Sequence, residues 1–231
     1  MNDAHDGTVC SAAECRPHDL LWLGACAELT PVGALPAWAT AAWLSVAPVV
    51  VRRAVPSGDR VPVGLRGTAR HQRCAAHVAA DRIARKVSPH DIAHSVSGNP
   101  LVRDARLACL RTLGRLACML NETSLTWGVT GSVGFTLASG LDVLRDDSDL
   151  DLLVHAPDRH VAEALRALGG STRDAESRVD VQVETPCGAF ALNEWLRTGG
   201  PVLVKTARGP LLVADPWNTD RPEATTPNHA A

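Results

Sequence analysis

The chain has 231 residues, of which 45% are hydrophobic and 21% charged, a composition that excludes an intrinsically disordered or fibrous protein. The net charge of only −2 argues against a general nucleic-acid binder. No apolar run reaches the roughly 18 residues of a membrane span, and the first residues lack the basic-then-apolar pattern of a secretory signal. We therefore expect a cytoplasmic protein that binds neither nucleic acid nor membrane. The seven cysteines have irregular spacing and predict free thiols rather than a disulfide framework.

Charge is divided unevenly along the chain. Residues 1–120 carry 14 Lys and Arg against nine Asp and Glu, a net charge of +5. Residues 121–231 carry nine Lys and Arg against 16 Asp and Glu, a net charge of −7. A basic surface is suited to phosphate or to an acidic partner, whereas clustered carboxylates are suited to a divalent metal. The asymmetry predicts two halves with different tasks.

The first half is predicted to hold a small basic domain, residues 16–100, behind a flexible tail at residues 1–15. Its predicted elements are a helix at Pro36–Ala47, strands at Val49–Ala54 and Arg60–Arg66, and an alanine-rich helix at Ala69–Lys86. Ser88–Pro100 contains several residues that disfavour regular structure and is the predicted boundary.

The second half, residues 101–217, is predicted to be a mixed α/β domain followed by a second tail at residues 218–231. Helices are predicted at Leu101–Leu120, from Asp158 to the Gly169-Gly170 pair, and at Ala189–Arg197. Strands are predicted at Leu125–Val129, Asp149–Val154, Val179–Glu184, Val202–Thr206 and Leu211–Val213.

Three acidic residues of this half form a pattern with chemical meaning. Asp149 and Asp151 are two apart on a predicted strand, so their side chains share a face. Two carboxylates at this short separation repel one another unless a divalent cation lies between them. Mg²⁺ typically binds one or two carboxylates together with phosphate oxygens. Asp180 on the next strand would complete a two-metal site for in-line displacement. The Gly131-Ser132 turn offers backbone N–H groups at a helix start, which suits phosphate.

The order of these pieces, a Gly-Ser turn, an Asp-x-Asp strand and a strand with a central Asp, resembles the DNA polymerase β-like nucleotidyltransferase superfamily. That resemblance implies a polymerase β-like catalytic domain. Sixteen residues separate Ser132 from Asp149, a longer interval than is usual there. We expect the additional length to form a hairpin around Ser139-Gly140 and Arg145–Ser148.

Nearly the whole chain also resembles the phosphoribosyl-dephospho-CoA transferases of malonate decarboxylase, its holo-acyl-carrier-protein synthases. The matching stretches are Arg16–Leu23, Val61–Gly67 with Gln72-Arg73, Thr130–Phe135, Ser148–Val154, parts of Asp180–Trp195, and Ala214–Trp217. The resemblance implies that a serine of the apo carrier protein attacks 2′-(5″-triphosphoribosyl)-3′-dephospho-CoA, so that a phosphodiester forms and diphosphate leaves. It also implies that Asp149 and Asp151 are the main catalytic metal ligands.

Two arginines of the basic half are candidate contacts for phosphate or for the carrier protein. Arg66 and Arg73 lie within the matching stretches, and arginine is suited to bidentate phosphate contacts. An acidic carrier protein would be attracted to a basic surface. The Arg16–Asp19 motif fits either such a role or a structural turn.

The sequence also contains two pairs of candidate metal ligands and leaves two alternative functions open. His90 and His94 have the spacing of two zinc ligands on a helix, but a polar linker is favoured there, and Cys74 with His77 lacks a second ligand pair. An alternative enzyme would use the same aspartates and ATP to adenylylate a protein or small molecule. A further alternative is a non-catalytic scaffold that binds carrier protein.

Overall fold

The computed structural model describes residues 11–24 and 29–218. Most of each predicted tail, together with Cys10 and Cys26, lies outside the described residues. The described chain divides into two compact units. The first comprises the residues up to Ser88 together with Ala138–Val143, and the second comprises Pro89–Leu137 and the residues from Leu144 onward. Among the described residues, no helix has the length and apolar character needed to span a membrane.

The first unit is built on a six-stranded antiparallel sheet with the order β2-β5-β4-β3-β1-β6. Its strands are β1 (Leu20–Leu23), β2 (Thr30–Pro31), β3 (Val49–Val51), β4 (Arg60–Arg66), β5 (Arg73–Ala79) and β6 (Ile83–Val87). A short helix, α1 (Ala41–Leu44), precedes β3. Alternate residues of β4 and β5, such as Val63 and Val78, are fully buried in the core of this unit. The strand predicted at Arg60–Arg66 is confirmed.

The helix predicted at Ala69–Lys86 is wrong, because this segment forms β5 and most of β6. The segment is rich in alanine, which is not β-branched and so does not indicate a strand. The basic residues among the alanines have helical spacing, which favoured a helix. Pairing with β4 decides the structure, since Arg60–Arg66 and Arg73–Ala79 align over their whole length. The helix predicted at Pro36–Ala47 is likewise confined to α1.

Within the described residues, the second unit contains six α-helices and a mixed six-stranded sheet with the order β12-β11-β10-β9-β8-β7. The helices are α2 (Pro89–Ser95), α3 (Pro100–Arg103), α4 (Ala108–Asn121), α5 (Gly131–Ser139), α6 (Ala162–Arg173) and α7 (Leu192–Thr198). The strands are β7 (Thr126–Val129), β8 (Leu150–His155), β9 (Val179–Thr185), β10 (Gly188–Ala191), β11 (Val202–Thr206) and β12 (Gly209–Val213). Among the described strands, only β8 and β9 pair in parallel, through a crossover that contains α6. The predicted mixed α/β fold class is therefore confirmed.

Several boundaries in the second unit differ from the predicted ones. The segment interpreted as a linker contains α2, and the helix predicted at Leu101–Leu120 is divided into α3 and α4. The helix predicted to end at Gly169-Gly170 continues to Arg173. A Cβ atom at Gly169 would lie 2.1 Å from Leu196 Cδ1, so this glycine permits close packing on α7 rather than ending α6. The start of the segment predicted as the last helix belongs to β10.

Candidate active site

The site begins at the turn that joins β7 to α5. The backbone N–H of Thr130 donates to the carbonyl oxygen of Asp151 at 2.9 Å, which ties the turn to β8. The N–H of Gly134 then donates to the carbonyl of Thr130 at 2.9 Å and starts the helix. A Cβ atom at Gly134 would lie 2.6 Å from the carbonyl oxygen of Val129, so a glycine is needed for helix and strand to approach. The turn is thus held rigidly beside the first residues of β8.

Gly131 lies directly beneath the carboxylate of Asp151. Its φ of +63° is in the left-handed region that favours glycine. A Cβ atom at this position would lie 1.8 Å from Asp151 Oδ2, a separation that no side chain can occupy. Sequence reasoning assigned Gly131 and Ser132 to phosphate binding. The structure gives Gly131 a further role, which is to leave space for the Asp151 carboxylate, and Ser132 lies half-buried next to it.

The pairing of β8 with β9 brings two of the predicted aspartates side by side. Asp151 and Asp180 are register partners in this parallel pair, so their side chains leave the same face of neighbouring strands, whose backbones are about 4.8 Å apart. Asp149 immediately precedes β8 and alternates with buried Leu150, on the side of Asp151. All three aspartates are half-buried at the edge of the sheet where β8 and β9 begin.

Neighbouring groups surround these carboxylates. The guanidinium of Arg178 lies 3.0 Å from one carboxylate oxygen of Asp180 and 3.2 Å from the other. On the other side, Cys109 of α4 is 1% exposed, and burial raises the pKa of its thiol. The negative charge of Asp149 raises that pKa further, which places Asp149 within electrostatic range of α4.

The aspartates offer a limited set of ligands for a divalent metal. Within the described part of the chain, no three His, Cys, Asp or Glu residues form a group that could hold a metal ion by themselves. Mg²⁺ does not require such a group, because it commonly takes one or two protein carboxylates and completes its shell with water and substrate phosphates. Asp149 and Asp151 supply two carboxylates, and Gly131 opens the space in which one of them lies. The pair therefore fits Mg²⁺ brought together with a phosphate substrate.

The candidate residues of the first unit differ in accessibility. Arg66 is only 8% exposed, and its carbonyl oxygen accepts a hydrogen bond of 2.7 Å from Trp43 Nε1. Its register partner Arg73 is exposed, and its Nε donates to the carbonyl of Arg70 at 3.3 Å. Burial leaves Arg66 little surface for contact with a partner protein, so Arg73 is the better candidate of the two.

The Arg16–Asp19 motif forms a structural turn at the start of β1. Asp19 is 2% exposed, and its carboxylate accepts the backbone N–H of Arg16 at 2.9 Å. The N–H of Val51 donates to the carbonyl of Asp19 at 2.8 Å, and His18 has a left-handed φ of +76°. This network joins β1 to β3 and supports the interpretation of the motif as a structural turn.

The histidines with zinc-like spacing lie in α2. The rings of His90 and His94 are 4.1 Å apart, and His90 Nδ1 lies 3.0 Å from the carbonyl oxygen of Trp127. Over residues 11–24 and 29–218, neither this pair nor Cys74 with His77 belongs to a three-residue group able to hold a metal. The histidine pair therefore packs α2 against β7.

Comparison with known proteins gives a consistent result over nearly the whole chain. The model of the phosphoribosyl-dephospho-CoA transferase MdcG N-terminal domain matches residues 16–89, and that of the MdcG C-terminal domain matches residues 99–216. No solved structure matches the chain.

Curated relatives named phosphoribosyl-dephospho-CoA transferase match along almost their full length. One from Klebsiella pneumoniae (strain 342) is 42% identical over 89% of this chain and 97% of its own. One from Pseudomonas fluorescens (strain Pf0-1) is 43% identical over 87% of this chain and 94% of its own. A third, from Pseudomonas aeruginosa, is 41% identical over 90% of this chain and 97% of its own. The chain therefore belongs to the phosphoribosyl-dephospho-CoA transferase family and is a transferase enzyme.

Proposed function

We propose that this enzyme transfers the 2′-(5″-triphosphoribosyl)-3′-dephospho-CoA group to a serine of the apo acyl-carrier-protein subunit of malonate decarboxylase. The observation that carries the proposal is the register of Asp151 and Asp180 on parallel strands, beside the glycine turn that makes room for Asp151. Acidic side chains converging where a phosphate-binding turn begins a helix are suited to phosphoryl chemistry. Membership of the family supports a donor derived from dephospho-CoA.

The reaction is a displacement at phosphorus. The serine oxygen forms a bond to the phosphorus nearest the ribose, the bond from that phosphorus to the diphosphate breaks, and diphosphate leaves with the electron pair. The serine proton must be accepted as the new bond forms. Asp180 is the group we assign to this step, since it lies beside Asp151 and its carboxylate is 43% exposed. Its contact with Arg178, at 3.0 Å, orients the carboxylate.

Asp149 and Asp151 are the residues that would hold Mg²⁺. When bound, the ion neutralises charge on the donor phosphates and on the oxygen of the leaving diphosphate. Asp180, which the sequence analysis also proposed as a third metal ligand, is assigned here to the proton transfer. The backbone N–H groups that begin α5, with the hydroxyl of Ser132, would orient the triphosphate.

The carrier protein would dock through the basic half of the chain. Carrier proteins are typically acidic around the modified serine, and residues 121–231 carry a net charge of −7 that would repel them. Residues 1–120 carry +5, and the exposed Arg73 is the candidate contact there. We propose that the reaction takes place in the cytoplasm, as the sequence analysis expects.

The decisive experiment is a mass measurement on the carrier protein. Purified enzyme is mixed with Mg²⁺, the triphosphoribosyl donor and the apo carrier, and the intact mass of the carrier is followed with time. We expect an increase equal to the prosthetic group without its diphosphate, and no increase for a carrier whose acceptor serine is replaced by alanine. An unchanged carrier mass refutes the proposal. An increase equal to AMP when ATP replaces the donor would identify an adenylylating enzyme instead.

A further inference from the structure

The second unit contains a cavity of about 600 Å³ at the start of β9. Its wall is formed by the end of α6, by residues 175–179 and by α7. Its polar lining residues include Arg173, Glu176, Ser177, Arg178, Asn193 and Arg197. Three arginines around one concavity are notable because they lie in the half of the chain that carries a net charge of −7.

The acidic lining residue does not neutralise these arginines. Glu176 is held by Arg111 of α4, which lies outside the lining; its Nε donates to Glu176 Oε2 at 2.9 Å and its Nη2 donates to Oε1. This hydrogen-bonded pair lowers the pKa of Glu176, so the glutamate stays ionised and matched to Arg111. Arg173 and Arg197 have no ion-pair partner among residues 11–24 and 29–218. The cavity therefore presents two uncompensated cations.

Packing of α7 against the end of α6 shapes the cavity, at whose rim Arg173, Asn193 and Arg197 are exposed. Gly169 allows Leu196 to approach α6 closely, which brings α7 against the end of that helix. Asn193 and Arg197 are one turn apart on α7 and therefore lie on the same side of it. The backbone N–H of Ser177 donates to Thr112 Oγ1 at 3.3 Å, whereas the covered hydroxyl of Ser177 has no hydrogen-bond partner within the described residues.

Arg178 connects this cavity to the candidate active site. It lines the cavity, and its guanidinium contacts Asp180 at 3.0 Å. The backbone carbonyl of Arg178 also accepts the N–H of Leu150 at 2.9 Å, between the two aspartates of β8. The cavity and the candidate active site therefore share one residue, Arg178, which lines the first and contacts a carboxylate of the second.

We propose that this cavity is a second phosphate-binding subsite, which holds a non-reacting phosphate group of the dephospho-CoA-type donor. The proposal deepens the function proposed above and rests on it for the identity of the donor. The volume lies in the range of small-ligand pockets. Arginine forks form paired, charge-assisted hydrogen bonds with phosphate. A concave wall of this size favours a compact phosphate-bearing ligand over the convex surface of a carrier protein.

Binding is tested with inorganic diphosphate and 3′-dephospho-CoA as calorimetric probes, in the absence of carrier. The variants Arg173→Gln and Arg197→Gln are compared with Arg208→Gln, which removes the same charge from the exposed turn between β11 and β12. Loss of one charge-assisted contact should raise the Kd of both probes about tenfold. Arg208→Gln should remain within about twofold of the wild type, and Arg197→Lys should fall between them. Circular dichroism establishes that each variant is folded.

The same variants are then assayed for transfer to the carrier. The KM for the donor should rise about tenfold in Arg173→Gln and Arg197→Gln, while the KM for the carrier stays at the wild-type value. Wild-type probe affinity in both variants, or an increase confined to the carrier KM, overturns the subsite. If the wild-type enzyme does not modify the carrier at all, the proposed function fails. The probe Kd values then still decide whether the cavity binds phosphate.

Discussion

Gly131→Ala separates the geometry of the candidate site from the stability of the fold. The new Cβ would lie 1.8 Å from Asp151 Oδ2, and ordinary contact begins near 3.4 Å, so the carboxylate must shift by about 1.6 Å. A misplacement of about 1 Å at a reacting centre costs on the order of 10²-fold in rate. The left-handed backbone at φ +63° adds roughly 1–2 kcal/mol of strain. We therefore expect kcat to fall by about 10²-fold or more.

Gly58→Ala supplies the matched control. Gly58 has a φ of +61°, but nothing lies within 4 Å of the Cβ it would acquire. The left-handed backbone should cost both variants roughly 1–2 kcal/mol, which corresponds to about 2–8 °C in Tm for a chain of this size, and Gly131→Ala should lose somewhat more because its Cβ would also lie 2.9 Å from the Cβ of Asp151. Only Gly131→Ala should lose transfer activity, measured as the rate of increase in carrier mass. Near-wild-type kcat in Gly131→Ala, or an equal loss in both variants, would show that the approach of Asp151 to residue 131 does not control the reaction.

Three further predictions concern the carboxylates, the basic half and pH. Asp149→Asn and Asp151→Asn should each reduce transfer by about 10²-fold or more without lowering Tm, because the ligands of Mg²⁺ are lost while the fold remains; near-wild-type turnover would exclude the metal site. The KM for the carrier should rise with added salt and with Arg73→Glu. Arg66→Glu should instead lower Tm, because Arg66 is buried. A carrier KM that does not change with salt would reject electrostatic docking. Glu176→Gln should lower Tm at neutral pH, because Arg111 lowers the pKa of Glu176 and the ion pair stabilises the fold. The difference in Tm from the wild type should vanish as the pH falls through that lowered pKa. A difference in Tm that is independent of pH would contradict the ion pair.

The aspartate pattern is predictable from sequence because it depends on local order. Alternation places Asp149 and Asp151 on one side of β8, and the same alternation identifies Val179–Glu184 as a strand with Asp180 near its start. The Gly-Ser turn is predictable for the same reason. The space that Gly131 provides for Asp151 cannot be predicted from the sequence, since it depends on how β7 and β8 pair. The hairpin expected around Ser139-Gly140 does not form in residues 140–149, all of which are described, although Arg145 and Ser148 do close a turn there.

Long-range pairing accounts for what sequence reasoning missed. Small residues in β5 look helical in isolation, and only the full-length register with β4 makes them a strand. The arginine cavity depends on the packing of α6 against α7 and on the ion pair between Arg111 and Glu176, 65 residues apart. Composition even points away from it, because it places the basic charge in the other half of the chain.

The parallel pairing of β8 with β9 has a consequence for how the family can vary. If β9 ran antiparallel to β8, a short turn could join them, and the start of β9 would lie at the far end from Asp149. Parallel strands instead require a long connection, and here that connection contains α6 and residues 175–178, which form much of the cavity wall. One crossover therefore aligns the aspartates and supplies Arg173 and Arg178. A shortened crossover that lost Arg173 and Arg178 could therefore leave the aspartates of the two strands in register while removing the basic wall of the cavity.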